Sequence, residues 1–170
     1  MQIVTSRVRL RRLALVGSLL LMILGFSTQS WAIGKGDAPP DFSLPDTAGN
    51  TVTLSQFKGK VVVVNFFTVT CQPCRHEMPV LSAIYKVIHA EGLVRRGICL
   101  NVDPNQLKVF AKQMNVAYPF LVGTDKVSKD YGEIVAVPTT FIINREGKIT
   151  EKIEGARKKE EFMKLIGPLL

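Results

Sequence analysis

The sequence predicts an α/β fold for residues 33–170: a mixed central sheet flanked by helices on both faces, with a β-hairpin extension at its N-terminal side. Three observations carry this expectation. Two apolar, β-branched runs, "KVVVVNFFT" (60–68) and "GICLNVD" (97–103), are each followed by a segment of helical spacing, the alternation that builds a sheet with covering helices. Near the C-terminus "TTFIINREGKITEKIEG" (139–155) reads as two strands joined by a Glu-Gly turn, which adds an antiparallel pair. Ahead of the first buried strand, "DFSLPDTAGNTVTLSQFKGK" (41–60) alternates with period two.

Residues 1–32 stand apart from that domain. Arg7, Arg9, Arg11 and Arg12 precede the apolar run "LALVGSLLLMILGF", and Ser30 and Ala32 close the segment with small residues. Basic, apolar and small-x-small, in that order, is the layout of a secretory signal peptide. The run falls short of the roughly 18 residues expected of a spanning helix, with an uncleaved N-terminal membrane anchor as the competing reading. Either way, residues 33–170 are expected in the periplasm or on the extracytoplasmic face of the cytoplasmic membrane. They are soluble after cleavage and otherwise held only by the N-terminal segment.

Within 41–60, Phe42, Leu44, Val52 and Leu54 supply the inward face of two short strands around a Gly-Asn turn. The run 60–68 is dominated by apolar, β-branched residues, as a strand buried on both faces should be. From Pro73 to about Ala90 the residues Met78, Leu81, Ile84, Tyr85 and Ile88 share one helical face, with Pro79 expected to kink it. "PNQLKVFAKQMN" (104–115) is a helix entered through Pro104. "YPFLVGTD" (118–125) is extended, "KVSKDYG" (126–132) a turn or two of helix, and "KKEEFMKLIGPLL" (158–170) a closing amphipathic helix. "ARKKEE" (156–161) reads as a solvated turn before it.

Half of the formal net charge of +8 arises from the leader. Four of the 22 Lys and Arg lie there, and the remaining 18 face 14 Asp and Glu. That is an ordinary surface and makes no case for nucleic acid as a partner. A domain of this size buries a core without staples.

The chemistry sits in "TCQPCRHEMPVL" (70–81). A bridge between Cys71 and Cys74 closes almost no loop, so as a staple it would add little stability. As metal ligands the pair lacks company: only Cys99, His76 and His89 remain, whereas structural zinc takes four ligands. No metal or cofactor is expected. The third reading is a redox pair. Residues three apart on a helical turn lie about 5–6 Å apart, within disulfide reach, and Pro73 suits a first turn. Cys71 would meet the unsatisfied N–H groups of the helix start, which favour its thiolate by about 0.3–2 kcal/mol. That field suits a reducing or exchanging thiol better than a very strong oxidant. Cys74 should be the buried, resolving partner. Cys99, between Ile98 and Leu100, reads as an inert core thiol, His89 as a complement to the helix dipole, and Phe66 and Phe67 as core.

The stretch from "GDAPPDFSL" through "VVVVNFFTVTCQPCRHEMP" to "VAVPTTFIINREGKI" resembles the exported thioredoxin-like proteins of the TlpA/ResA group, over essentially all of residues 36–170. The resemblance implies a thioredoxin fold and a thiol–disulfide oxidoreductase in which Cys71 attacks and Cys74 resolves. It implies a cis Pro138 facing the disulfide, with Val137 pairing an extended substrate and Thr139 behind it. It also implies Glu77 as an acidic residue beside the active site, against the plainer reading of a solvated helix carboxylate. The partners it implies are exported proteins, engaged through mixed disulfides (apocytochrome c before haem attachment among them), and a membrane-embedded electron donor. Two departures stand out: Thr70 occupies a place often held by Trp, and Asn65 aligns with the buried Asp of thioredoxin. Asn65 takes no proton, so a base for Cys74 must lie elsewhere. Two other functions fit parts of the pattern. Thr68, three residues before Cys71, matches half of a peroxiredoxin motif whose Pro is replaced by Val64, and a disulfide-bearing binding module without turnover is the other.

Overall fold

The structure, a computed structural model, describes residues 33–170, so the expected signal or anchor segment lies outside it. The chain opens with a hairpin, β1 (Ser43–Pro45) against β2 (Thr51–Thr53), antiparallel with Leu44 opposite Val52. Asp46 closes the turn: its Oδ1 accepts from the N–H groups of Ala48 and Asn50. The apolar face predicted for this segment is the buried one, Phe42, Leu44, Val52 and Leu54.

Strand β3 (Val61–Phe67) is buried at every position, as its apolar run, interrupted only by Asn65, leads one to expect. Helix α1 (Gln72–Ile88) follows, then β4 (Leu93–Cys99) parallel to β3. α1 continues through Pro79 and ends at His89, whose Nδ1 lies 3.1 Å from the Tyr85 carbonyl oxygen. Gly92 then turns the chain at φ 100°, a conformation glycine adopts without Cβ strain. Helix α2 (Pro104–Met114) starts on Asp103, whose carboxylate accepts from the N–H groups of Asn105 and Gln106. It leads to β5 (Phe120–Val122), parallel to β4. A short helix α3 (Asp125–Asp130), the hairpin β6 (Thr139–Ile143) and β7 (Ile149–Glu154), and helix α4 (Lys159–Ile166) complete the domain.

The main sheet runs β5-β4-β3-β6-β7, with β6 antiparallel to β3. Alternation along β3 divides the core. Val62, Val64 and Phe66 pack under the N-terminal hairpin, together with Val127 and Tyr131 of the α3 region. Val61 and Val63 pack under α1 and α4, with Leu81, Ile84, Phe162 and Ile166. Phe67 joins Cys74, Met78, Leu107, Phe110 and Phe120 beneath α1 and α2. Helices therefore cover both faces unequally: the three longer ones share one face, and the hairpin with α3 covers the other. An Asp46–Leu121 bridge ties the hairpin to the β5 edge, and the Tyr131 hydroxyl donates to the Pro40 carbonyl at 2.9 Å. Among the described residues, no helix is long and apolar enough to cross a membrane.

One strand departs from the sequence reading. β4 begins at Leu93, four residues before the predicted Gly97. Arg95 and Arg96 break the apolar pattern, yet the sheet accommodates both by stacking their guanidinium groups on rings. Arg95 lies 3.6 Å from the Tyr118 ring centre and Arg96 4.5 Å from that of Phe57.

Candidate functional site

The two cysteines sit where β3 leaves the sheet and α1 begins. Cys71 is the N-cap of α1, with extended backbone angles, and Pro73 lies in the first turn. Its sulfur accepts from the Cys74 N–H at 3.2 Å, so the helix start favours negative charge on that atom. Cys71 and Cys74 form a disulfide with S–S 2.05 Å and Cα–Cα 5.3 Å. Burial separates the partners: Cys71 is only partly buried, while Cys74 is 1% exposed among Phe67, Met78 and Phe110. An incoming nucleophile or electrophile reaches one sulfur and not the other.

The Val137–Pro138 peptide bond is cis, as the resemblance implies. The loop it shapes brings the Val137 carbonyl oxygen to 3.6 Å from the Cys71 sulfur. In the disulfide this is a contact without a hydrogen; in the dithiol the Cys71 S–H can donate to it. Thr139 is buried behind this loop, and its hydroxyl donates to the Ala136 carbonyl at 2.8 Å. Val135, two residues before Val137, is 90% exposed. Thr70 is also exposed, its Oγ1 3.5 Å from that of Thr68. Val69 and Val137 pack in the same cluster as Cys71, and exposed Thr70 stands immediately before it.

Glu77 is not a solvated helix carboxylate. It is 2% exposed, one helical turn beyond Cys74 on the buried face of α1. Its Oε2 accepts from Asn65 Nδ2 at 3.3 Å, and its Oε1 from the Arg157 backbone N–H at 2.9 Å. Asn65 also donates to Thr140 Oγ1 at 2.8 Å. Burial pushes the Glu77 carboxyl above its ordinary range, against the hydrogen bond from Arg157 and the nearby Arg95 charge, which act the other way. The "ARKKEE" segment is exposed as predicted, but its backbone closes over this carboxylate.

Arg75 donates to the Val69 carbonyl at 3.3 Å and lies 5.2 Å from the Phe110 ring centre. His76 is exposed, and no cluster of three or more metal-ligating side chains forms among the described residues. Cys99 is fully buried, its thiol pushed up to about 12 by desolvation. Sequence reasoning missed Arg95 and Tyr118. The Arg95 guanidinium is buried without a hydrogen-bond partner, as is the Tyr118 hydroxyl. An arginine flanked by "LV" and "GICL" was the available signal: it falls on the inward parity of a strand extended four residues back.

A model of the AhpC/TSA family matches residues 35–152. The thiol-disulfide oxidoreductase ResA of Bacillus subtilis (strain 168) is 34% identical over 142 residues, covering 81% of this chain and 78% of that protein. The thioredoxin-like protein YneN of the same organism is 30% identical over 160 residues, 87% of this chain and 93% of its own. Among solved structures, a putative thiol:disulfide interchange protein DsbE from Chlorobium tepidum superposes with a TM-score of 0.74 at 29% identity, over 79% of this chain and 96% of that one. A putative protein disulfide isomerase from Bacteroides thetaiotaomicron gives 0.73 at 27% identity, over 82% and 94%.

Proposed function

The chain belongs to the AhpC/TSA family and, within it, to the ResA-like thiol–disulfide oxidoreductases of thioredoxin fold, and on that footing we propose that it reduces disulfides of specific exported proteins outside the cytoplasm. The observation that carries this reading is the unequal burial of the two sulfurs at the start of α1. In the reduced enzyme the Cys71 thiolate attacks a target disulfide, forming a Cys71–target bond and releasing the other target sulfur as a thiolate. Cys74 then loses its proton and attacks Cys71. The second target thiolate leaves, and the Cys71–Cys74 bond re-forms. Two electrons pass to the target. The next cycle needs two electrons from a donor, which we assign to a membrane-embedded dithiol reductant.

Glu77 is the base we assign to Cys74. Asn65 takes no proton, and Glu77 is the buried carboxylate one helical turn beyond Cys74, a group of the kind that serves as a general base. Val137 offers its backbone to an extended target segment, cis-Pro138 sets that backbone's direction, and Thr139 fixes the loop from behind. Apocytochrome c, with its paired cysteines, is the target class the resemblance favours. Residues 1–32 serve as export signal or anchor in this scheme.

Trapping tests the proposal. A Cys74→Ser variant should hold mixed disulfides with exported proteins through Cys71, and the purified enzyme should reduce a protein disulfide catalytically. A variant that traps nothing, or a wild-type disulfide that dithiols cannot open, would sink it. Consumption of peroxide at rates above those of disulfide exchange would instead revive the peroxidase reading, which rests on Thr68 alone.

A further inference from the structure

Arg95 is a charge the exchange reaction, as described so far, does not use. It lies in β4 on the face covered by α1, opposite Val63 of β3. Its guanidinium is sealed 3.6 Å from the centre of the Tyr118 ring, and its three nitrogens have no hydrogen-bond partner. A buried cation with no hydrogen-bonded carboxylate is costly to desolvate, and the ring quadrupole offsets only part of that cost. A leucine or methionine would fill the space more cheaply. What lies near is Glu77. Register places Asn65 opposite Gly97, the next inward position of β4 after Arg95, and Asn65 is the residue that donates to Glu77. Between the guanidinium and that amide the sheet carries only a glycine. By register Glu151 of β7 falls on the same face, but three strands away and paired with Lys35 at 2.7 Å. Around Glu77, Asn65 comes from β3, Thr140 from β6, the Arg157 N–H from the loop before α4, and Tyr118 beside Arg95 from the segment before β5. The Arg157 guanidinium is turned outward, its Nε 3.6 Å from Glu161.

We propose that Arg95 is a positioning residue for resolution: its buried positive charge keeps the Glu77 carboxylate available to take the Cys74 proton. The inference rests on Glu77 serving as that base. Atoms balance simply. The proton moves from the Cys74 sulfur to a Glu77 oxygen, the sulfur's electron pair forms the Cys71–Cys74 bond, and the target sulfur departs with the pair of the broken bond. Arg95 touches none of these atoms. The directions of the two buried groups agree with such a pair: desolvation pushes the Glu77 carboxyl up while Arg95 pulls it down, and desolvation lowers Arg95 while Glu77 raises it.

An aromatic disulfide whose thiolate is coloured separates the steps. The reduced enzyme should release one thiolate when Cys71 attacks and a second when Cys74 displaces the adduct. Arg95→Met should leave the first release unchanged and slow the second roughly tenfold near neutral pH, moving its pH profile upward. Arg95→Lys, which keeps the charge, should stay close to wild type. In a Glu77→Gln background the Arg95→Met change should add nothing. Equal slowing there would overturn the inference, since Arg95 would then act through packing alone. An unchanged second release in Arg95→Met, with Glu77→Gln slow, overturns it as well. A Glu77→Gln enzyme that resolves like wild type removes the base assignment instead. Carboxyl ¹³C titration of Glu77 tells these failures apart, because loss of the Arg95 charge must move that midpoint upward if the two are paired. Should Arg95→Met not fold, Arg95→Gln serves as the neutral variant in both measurements.

Discussion

Glu77 holds its proton to higher pH in the folded protein than in the unfolded chain, because burial outweighs the Arg157 and Asn65 hydrogen bonds and the Arg95 charge. The linkage sign follows. Where the native state binds more protons than the unfolded one, stability falls as pH rises. This group therefore costs nothing below the unfolded carboxyl range near 4.5 and costs progressively more as pH climbs through its raised native value. Urea denaturation across that window should show a shallower decline in Glu77→Gln than in wild type. The variant also carries a constant penalty, since its NH2 must face one of the two donors, the Asn65 amide or the Arg157 N–H. A parallel pair of curves would show that Glu77 titrates alike in both states. Cys99 gives a second residue-scale test. Its thiol is buried and pushed up to about 12, so a thiol alkylator applied to the reduced native protein should label Cys71 at once. It should leave Cys99 untouched until denaturant is added.

Strand β4 shows how an element is specified by what its neighbours leave room for. Gly97 has no Cβ because Phe120 Cδ1 would lie 2.8 Å from it and Phe67 Cε1 3.1 Å. Gly97→Ala should destabilise by about 1–3 kcal/mol, the usual cost of overpacking, measured as a lower urea midpoint with an unchanged slope. The same strand marks the limit of reading elements from the sequence. β3 was legible because six apolar side chains in seven positions, broken only by Asn65, have only one environment to enter. The first half of β4 was not, because Arg95 and Arg96 look like surface residues until the rings of Tyr118 and Phe57 are brought beside them by distant segments. The site divides in the same way. The cysteines at a strand–helix junction are local, and the spacing with Pro73 was enough to place them. The enclosure of Glu77 depends on the Arg157 backbone, 80 residues further on, and on β3. No period along α1 could announce it.

At the scale of the whole molecule, the sheet has two apolar faces and only one of them is covered by long helices. The other is closed by the N-terminal hairpin, whose Phe42, Leu44, Val52 and Leu54 pack on Val62, Val64, Phe66 and Phe141. The hairpin is held by backbone as well: Leu54 N–H donates to the Phe42 carbonyl at 3.2 Å, Gly36 and Asp37 pair with Ile149, and Asp46 bridges Leu121. Each buried side chain of this size stabilises by about 1.5–3 kcal/mol, so the four hairpin residues together contribute roughly 6–12 kcal/mol. A domain of this kind has only about 5–15 kcal/mol in all. The hairpin is therefore part of the fold and not an ornament on it. A chain beginning at Ile33 should unfold in one cooperative transition. A chain beginning at Ser55 should lose that transition, bind a hydrophobic dye and fail to release the second coloured thiolate, although Cys71, Cys74 and cis-Pro138 are all present. If the shorter chain instead melts cooperatively and exchanges disulfides at the full rate, the face under the hairpin is stable against water. The contribution assigned to those four side chains would then be wrong by most of its magnitude.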